Sequence, residues 1–219
     1  MADWDILYED NEVLVVYKPA GLATQSAKPT EKDLESELKN YRVQNGENPY
    51  IGVVHRLDQP VEGALCFAKT RAAMDVLTKQ LREHTLMKKY YAIITRGNMP
   101  TQGVLEDYLV KDGRKQRAMV VKETDPRAKK ARLTYRVISE VDDMRLLDIT
   151  IESGRFHQIR AQLASRTAPI YGDVKYGGVS TGRPLCLCAY YLRFAHPKTG
   201  AMMEYEIHPK GEDFYDLLP

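Results

Sequence analysis

The sequence predicts an α+β domain built on a mixed, mostly antiparallel sheet with a few flanking helices. Short apolar runs bounded by turn residues recur along most of the chain, the pattern of β-strands. Only three stretches show the 3.6-residue period of a helix. At 219 residues, 43% apolar and 28% charged, the chain is long enough for one sizeable core. No internal repeat, low-complexity segment or Gly/Ser linker interrupts it, so a single domain over 1–219 is expected.

In chain order, "ILYEDNEVLVVYKPAG" reads as a hairpin: an apolar segment, a turn at Glu9-Asp10-Asn11, and a strand over 13–17 stopped by Pro19 and Gly21. A helix follows Thr30, with Leu34, Leu38 and Tyr41 at i, i+4 and i+7 and Asp33 at the third helical position. Strands over 52–54 and 64–68 flank "HRLD". Residues 71–84 suit an amphipathic helix with Met74, Leu77 and Leu81 on one face. Further strands are expected over 90–95, 104–110, 118–121, 131–141 and 144–152, the last two joined as a hairpin through Asp142-Asp143. A helix begins near Gly154. Strands over 184–195 and 201–208 are joined by Pro197-Lys198-Thr199-Gly200.

No apolar run approaches the roughly 18 residues of a membrane span. The start, Met1-Ala2-Asp3-Trp4-Asp5, lacks the basic-then-apolar layout of a secretion signal. Three cysteines, an odd number, argue against a disulfide framework. Cys186 and Cys188, two apart in an apolar strand, read as packing rather than as metal ligands. Together these features predict a soluble, reduced, cytoplasmic protein. The net charge of +2 conceals an asymmetry, for residues 111–136 hold ten Lys or Arg against three Asp or Glu. Such a cluster is the footprint expected of a polyanion-binding surface. A solvated loop and strand face is the alternative.

The costliest feature is "VVHRLD", where His55, Arg56 and Asp58 follow two valines. A carboxylate at the end of an apolar strand needs a cation. In "SGRFHQIRAQLASR", Phe156, Ile159 and Leu163 define one helical stripe and Arg160 falls on it, so this arginine must snorkel or find an anion. Pairing Asp58 with Arg160 satisfies both constraints and favours the ionised carboxylate, which suits a nucleophile better than an acid. A structural salt bridge is the alternative for Arg160. Arg155, in the first helical turn after Gly154, is placed where exposed amides favour phosphate. Glu62 reads as a turn residue, with a second acid/base carboxylate as the alternative. His55, Asp58 and His157 lack the spacing of a metal site, and neighbouring arginines would repel a cation, so no metal is expected. The glycines of "KYGGVSTGRP" do not match a phosphate-cradling loop.

"HRLD" at 55–58, "KKYYA" at 88–92, "GRFHQIRAQL" at 154–163 and "PIYGDVKYGG" at 169–178 stand in this order and together resemble the RluA-type pseudouridine synthases. "VVYKPAGL" at 15–22 and "FAHPKTG" at 194–200 fit that family's opening and closing strands. The resemblance spans nearly the whole chain. It implies a pseudouridine-synthase-like catalytic domain that isomerises specific uridines of tRNA or rRNA with no cofactor and no metal. It implies that Asp58 is the essential aspartate, which attacks the ribose at C1′ or, in a competing account, helps remove the C2′ proton. The detached uracil then turns and rejoins the sugar through C5. Tyr90, in the pattern Lys88-x-Tyr90-x-Ala92, matches the tyrosine that packs on the target base and is a candidate to take the C5 proton; Tyr91 should point to the other face of the strand. Arg160 matches the arginine that pairs with the aspartate, and Arg56 the residue that fills the space left by the flipped nucleotide. Asp58, Tyr90 and Arg160 are therefore the expected catalytic residues. His55, Arg56, Arg155, His157, Gln158, Lys129 and Lys130 are the expected RNA contacts.

Two departures matter. The family commonly follows HRLD-x-x with Thr-Ser-Gly, whereas this chain has Val61-Glu62-Gly63, which alters local hydrogen bonding near Asp58. The strand that often reads Leu-His-Ala reads Leu187-Cys188-Ala189, an expected change of packing only. The catalytic pattern starts within the first dozen residues, so no S4-type RNA-binding module is expected before it. Recognition would then rest on the 111–136 segment, with the target uridine in a structured loop or stem and the protein acting as a monomer. A catalytically silent RNA-binding protein of the same fold is the alternative, against which intact Asp58, Tyr90 and Arg160 argue.

Overall fold

The computed structural model describes residues 4–26, 30–95, 97 and 99–218; the acidic start at Met1 to Asp3 lies outside them. Its elements run β1 (Asp5–Glu9), β2 (Val13–Lys18), α1 (Leu34–Gln44), β3 (Gly52–Val53), β4 (Glu62–Ala68), α2 (Arg71–Arg82), β5 (Met87–Thr95), β6 (Gln102–Asp112), β7 (Arg117–Val121), β8 (Lys129–Val141), β9 (Met144–Ile151), α3 (Gln158–Ala164), β10 (Leu187–Ala195) and β11 (Met202–Glu206). The class is α+β, as expected. The chain falls into two compact units, residues 1–88 with 189–209 and residues 89–188 with 210–219.

In the first unit the strand order is β1-β2-β4-β10, with β3 on β4 and β11 on β10. The β1–β2 hairpin turns on Asp10, whose Oδ1 accepts the N–H groups of Glu12 and Val13, both at 2.8 Å, the local bonding that makes Asp a turn residue. β2 and β4 are buried at every position, so they read as continuous apolar runs rather than alternating ones. Val13, Val15, Ala64, Cys66 and Ala68 pack with Ala73 and Leu77 of α2 and with Leu192 and Phe194 of β10. Asp33 is not the third residue of α1 but its N-cap: Oδ1 accepts the N–H of Ser36 at 2.8 Å. That satisfies one of the donors a helix start leaves open. Glu62, read from sequence as a turn residue, instead opens β4 and is buried. The strand begins that early because Gly63 pairs with Lys18 of β2 and lies against the backbone of Ala189; a Cβ there would come within 2.5 Å of the Ala189 carbonyl oxygen.

The second unit is a meander-like sheet in the order β5-β9-β8-β6-β7, antiparallel at every pairing. The β8–β9 hairpin turns at Asp142, which takes a left-handed φ of 51°. α3 starts at Gln158 rather than near Gly154, because His157 also holds a left-handed φ of 50° and cannot continue a helix backwards. Arg155 is therefore in a loop, outside the helix. All of 158–163 is buried, so α3 is a central helix rather than an amphipathic surface one. Its polar Gln162 reaches the Leu105 carbonyl at 3.2 Å and the Asp107 carboxylate at 2.8 Å, fixing α3 to β6. Among the described residues no helix is long and apolar enough to cross a membrane.

Candidate active site

Asp58 sits in the first unit on a turn between β3 and β4, closed by the Val61 N–H donating to the Asp58 carbonyl at 3.0 Å. Side chains alternate into and out of the protein along the approach: His55 and Leu57 are buried, Arg56 is exposed and Asp58 is half-buried. The residues after β2 lace this turn in place. Thr24 Oγ1 donates to the Leu57 carbonyl at 2.9 Å and accepts the Leu57 N–H at 3.2 Å. The Gly21 N–H donates to the Gln59 carbonyl at 2.9 Å, and Gln59 Nε2 returns a bond to the Gly21 carbonyl at 3.1 Å. Backbone bonding of this density holds a side chain in one orientation, which reaction geometry requires.

Lys18 completes the clasp. It is fully buried, and its ammonium donates to the carbonyls of Pro19 at 2.8 Å, Leu22 at 2.6 Å and Gln59 at 3.2 Å. Burial pushes its pKa down to about 7, against the opposing pull of the Asp58 and Glu62 carboxylates. Sequence reasoning passed over this lysine. The signal was present in "VLVVYKPAG": a lysine closing a run of core residues is almost never buried without partners.

In the second unit, Tyr90 lies on β5 opposite Ile149 of β9 and is buried. Lys88, Tyr90 and Ala92 are buried while Lys89 and Tyr91 are half-buried, the alternation that turns Tyr91 to the other face. Arg160 lies on α3 and is buried, so it pairs rather than snorkels. Its Nε and Nη2 donate to the two carboxylate oxygens of Asp173, each at 2.8 Å, and Asp173 is 1% exposed. This is the fork-to-fork geometry that fixes a guanidinium in both position and plane. The Tyr176 ring lies 5.1 Å from the guanidinium carbon.

Asp173 and Tyr176 were missed by sequence reasoning, although both lie in the quoted "PIYGDVKYGG". The loop brings them under α3 by folding tightly on itself. Gly178 donates its N–H to the Asp173 carbonyl at 2.8 Å, and a Cβ at Gly178 would collide with the Ile170 carbonyl.

His157 is stacked on Phe156 at 3.9 Å, with Nδ1 3.0 Å from the Tyr176 hydroxyl and Nε2 3.3 Å from Arg160 Nη1. A guanidinium only donates, so Nε2 accepts and the ring proton sits on Nδ1, directed at Tyr176. Burial, then the charges of Arg160, Lys175 and Lys111, push the His157 pKa down to about 3. The folded pKa lies below the unfolded value of 6.5, so the neutral ring's contribution is intact above about pH 6.5 and is lost as pH falls towards 3. His157→Asn tolerates the left-handed backbone and cannot charge, so its melting temperature should fall less than that of the parent between pH 6.5 and 4. Parallel losses would place this part of the acid sensitivity elsewhere.

Of the residues expected to contact RNA, Arg56, Lys129, Lys130 and Arg155 are exposed, whereas His55, His157 and Gln158 are enclosed. His55 Nε2 accepts the Cys66 N–H at 3.2 Å, and burial followed by the Lys88 charge holds its pKa well below the usual value. Gln158 accepts from the Ser153 hydroxyl at 2.8 Å and the Arg155 N–H at 3.1 Å and donates to the Arg132 carbonyl at 3.1 Å. His55 and Gln158 thus answer backbone groups, and His157 answers the side chains of Tyr176 and Arg160. Part of the basic balance of 111–136 is also neutralised, since Lys130 pairs with Glu106 at 2.8 Å and Arg136 with Asp148 at 3.4 Å.

A sequence profile described as RNA pseudouridylate synthase matches residues 12–165. The chain is 37% identical over 180 residues to the uncharacterized RNA pseudouridine synthase YhcT of Bacillus subtilis, covering 80% of this chain and 58% of that protein. It is 31% identical over 231 residues to the ribosomal large subunit pseudouridine synthase D of Haemophilus influenzae, covering 98% of this chain and 69% of that protein. The chain thus spans 58% and 69% of the length of these two curated relatives. Among solved structures, human RNA pseudouridylate synthase domain containing 4 shares the fold, with a TM-score of 0.77 at 22% identity over 94% of this chain and 89% of that one. By the residues matched and by the length shared with these relatives, the chain belongs to the RNA pseudouridylate synthase family.

Proposed function

We propose that the protein isomerises specific uridines of tRNA or rRNA to pseudouridine in the cytoplasm. The observation that carries this reading is the Asp58 turn: a half-buried carboxylate held from behind by Lys18, Gly21 and Thr24, in a chain of this family. Asp58 acts as nucleophile or base, Tyr90 packs on the target base, and Arg160 supports the aspartate electrostatically. The C1′–N1 bond breaks, a C1′–C5 bond forms, and the C5 hydrogen leaves to water, so neither redox chemistry nor a co-reactant enters the balance. The glycosidic carbon is inaccessible in a stacked helix, so the uridine is flipped out, with exposed Arg56 filling its place. The family match runs through parts of both units, which supports their acting as one catalytic domain over 1–219. Incubation with RNA tritiated at C5 of uridine tests the activity: release of tritium to water with an uncut chain supports it. Binding without release would leave a silent RNA-binding protein.

Lys129, Lys130 and the rest of the 111–136 segment, together with Arg155, supply sequence-independent affinity. Because Lys130 is already paired with Glu106, replacing Lys129 and Lys130 by Gln should lower the slope of log K against log salt by about one rather than two. An unchanged slope would move the RNA-binding face elsewhere.

A further inference from the structure

In the second unit, Asp173 and Tyr176 bracket a single 3₁₀ turn, Val174–Tyr176, closed by the Tyr176 N–H donating to the Asp173 carbonyl at 3.0 Å. Such a turn brings side chains at i and i+3 to one side, and both of these meet Arg160. Asp173 accepts from Nε and Nη2, each at 2.8 Å. The Tyr176 ring lies 5.1 Å from the guanidinium carbon, and its hydroxyl lies 3.0 Å from His157 Nδ1. His157 Nε2 in turn lies 3.3 Å from Arg160 Nη1. The hydroxyl is itself fixed, for it accepts the Ala118 N–H of the edge strand β7 at 2.6 Å. Three hydrogen bonds therefore run without a break from β7 through Tyr176 and His157 to Arg160. Arg160 only donates, so Nε2 must accept and the proton of the neutral ring must sit on Nδ1. Which ring nitrogen carries the proton is set by the bond the other makes. Nδ1–H finds its acceptor in the Tyr176 oxygen.

We propose that Tyr176 is a positioning residue for the reaction: its hydroxyl holds His157 in the Nδ1–H tautomer, and the acceptor this leaves at Nε2 settles Nη1 of Arg160. The inference rests on reading Arg160 as the support of Asp58. Of the five N–H groups of Arg160, Asp173 takes two and His157 a third. Those three bonds direct the remaining N–H groups on Nη1 and Nη2, because the guanidinium is planar and its donors are fixed in angle. A neutral imidazole suits the task, since it accepts from Nη1 without adding a second negative charge beside Asp173. The opposite tautomer would set Nε2–H against Nη1, donor against donor. The guanidinium would then shift, and a misplacement of about 1 Å near the chemistry costs on the order of a hundredfold in rate.

The test is Tyr176→Phe, which keeps the ring against Arg160 and removes only the hydroxyl. Its kcat for C5-tritium release should fall by about tenfold or more, with KM for RNA unchanged. A mere loosening of the β6–β7 hairpin would raise KM instead, since the basic segment lies there. The ring-nitrogen resonances of His157 read the tautomer directly. In the parent at pH 7, Nδ1 should carry the proton, and in Tyr176→Phe the Nε2–H form should appear. His157→Asn should also lower kcat, and adding Tyr176→Phe to it should cost little more, because the two residues act in one chain. An unchanged kcat or tautomer in Tyr176→Phe, or additive losses in the double variant, would overturn the inference. Normal turnover by Arg160→Met combined with Asp173→Asn would instead remove the reading beneath it, while the tautomer change in Tyr176→Phe would still be seen. Should Tyr176→Phe not fold, the parent decides: a His157 ring protonated at Nε2 overturns the proposal, and one protonated at Nδ1 supports it.

Discussion

Asp58→Asn is expected to abolish C5-tritium release, lowering it by a factor on the order of 10⁴ or more, while RNA binding persists. The amide is nearly isosteric but is neither a carboxylate nucleophile nor a base. Stability should change little at pH 6. The bonds that hold the turn, from Val61, Gly21, Thr24 and Lys18, involve backbone groups of 57–61 and not the Asp58 carboxylate, so they survive the substitution. Loss of the carboxylate also removes a charge acting on Lys18, so the variant should be compared below neutral pH, where the ammonium is retained. Near-normal pseudouridine yield from Asp58→Asn would sink the catalytic assignment.

The second large effect concerns Arg160. Arg160→Met keeps the stem but leaves Asp173, 1% exposed, without the guanidinium that fills both its oxygens. A buried carboxylate stripped of its partner costs about 3–5 kcal/mol, which for a chain of this size corresponds to a fall in melting temperature on the order of 10 °C. Activity should fall steeply as well. Arg160→Met combined with Asp173→Asn separates the two effects. Neutralising the orphaned carboxylate should restore most of the stability, because replacing both members of a buried pair is often nearly neutral. Turnover should stay low, because the guanidinium proposed to support Asp58 is still missing. A double variant that is both stable and active would reduce Arg160 to a structural salt bridge.

Arg160 also shows where sequence reading stops. Its place on a buried stripe was legible from the period of Phe156, Ile159 and Leu163, and from that followed its need for an anion. Which anion binds Nε and Nη2 was not, because Asp173 lies in the 165–178 loop, whose course depends on Gly172, Gly177 and Gly178 and carries no period. The start of α3 failed for a related reason: nothing in the residue type of His157 announces a left-handed backbone.

What the sequence by itself determined is the local order: the hairpins, the strands that flank "HRLD", the α2 face, and an aspartate at the end of an apolar run. Each follows from contacts within a few residues, where apolar period and turn chemistry decide. Only the tertiary structure decided the partners. Glu62 became a strand residue through its register against β2, Lys18 became the clasp of the Asp58 turn across 41 residues of chain, and His55 and Gln158 turned inward to backbone groups. The physical reason is common to all of them. A buried polar group must be satisfied, the requirement is visible in the sequence, and the atom that meets it is chosen by how distant segments pack.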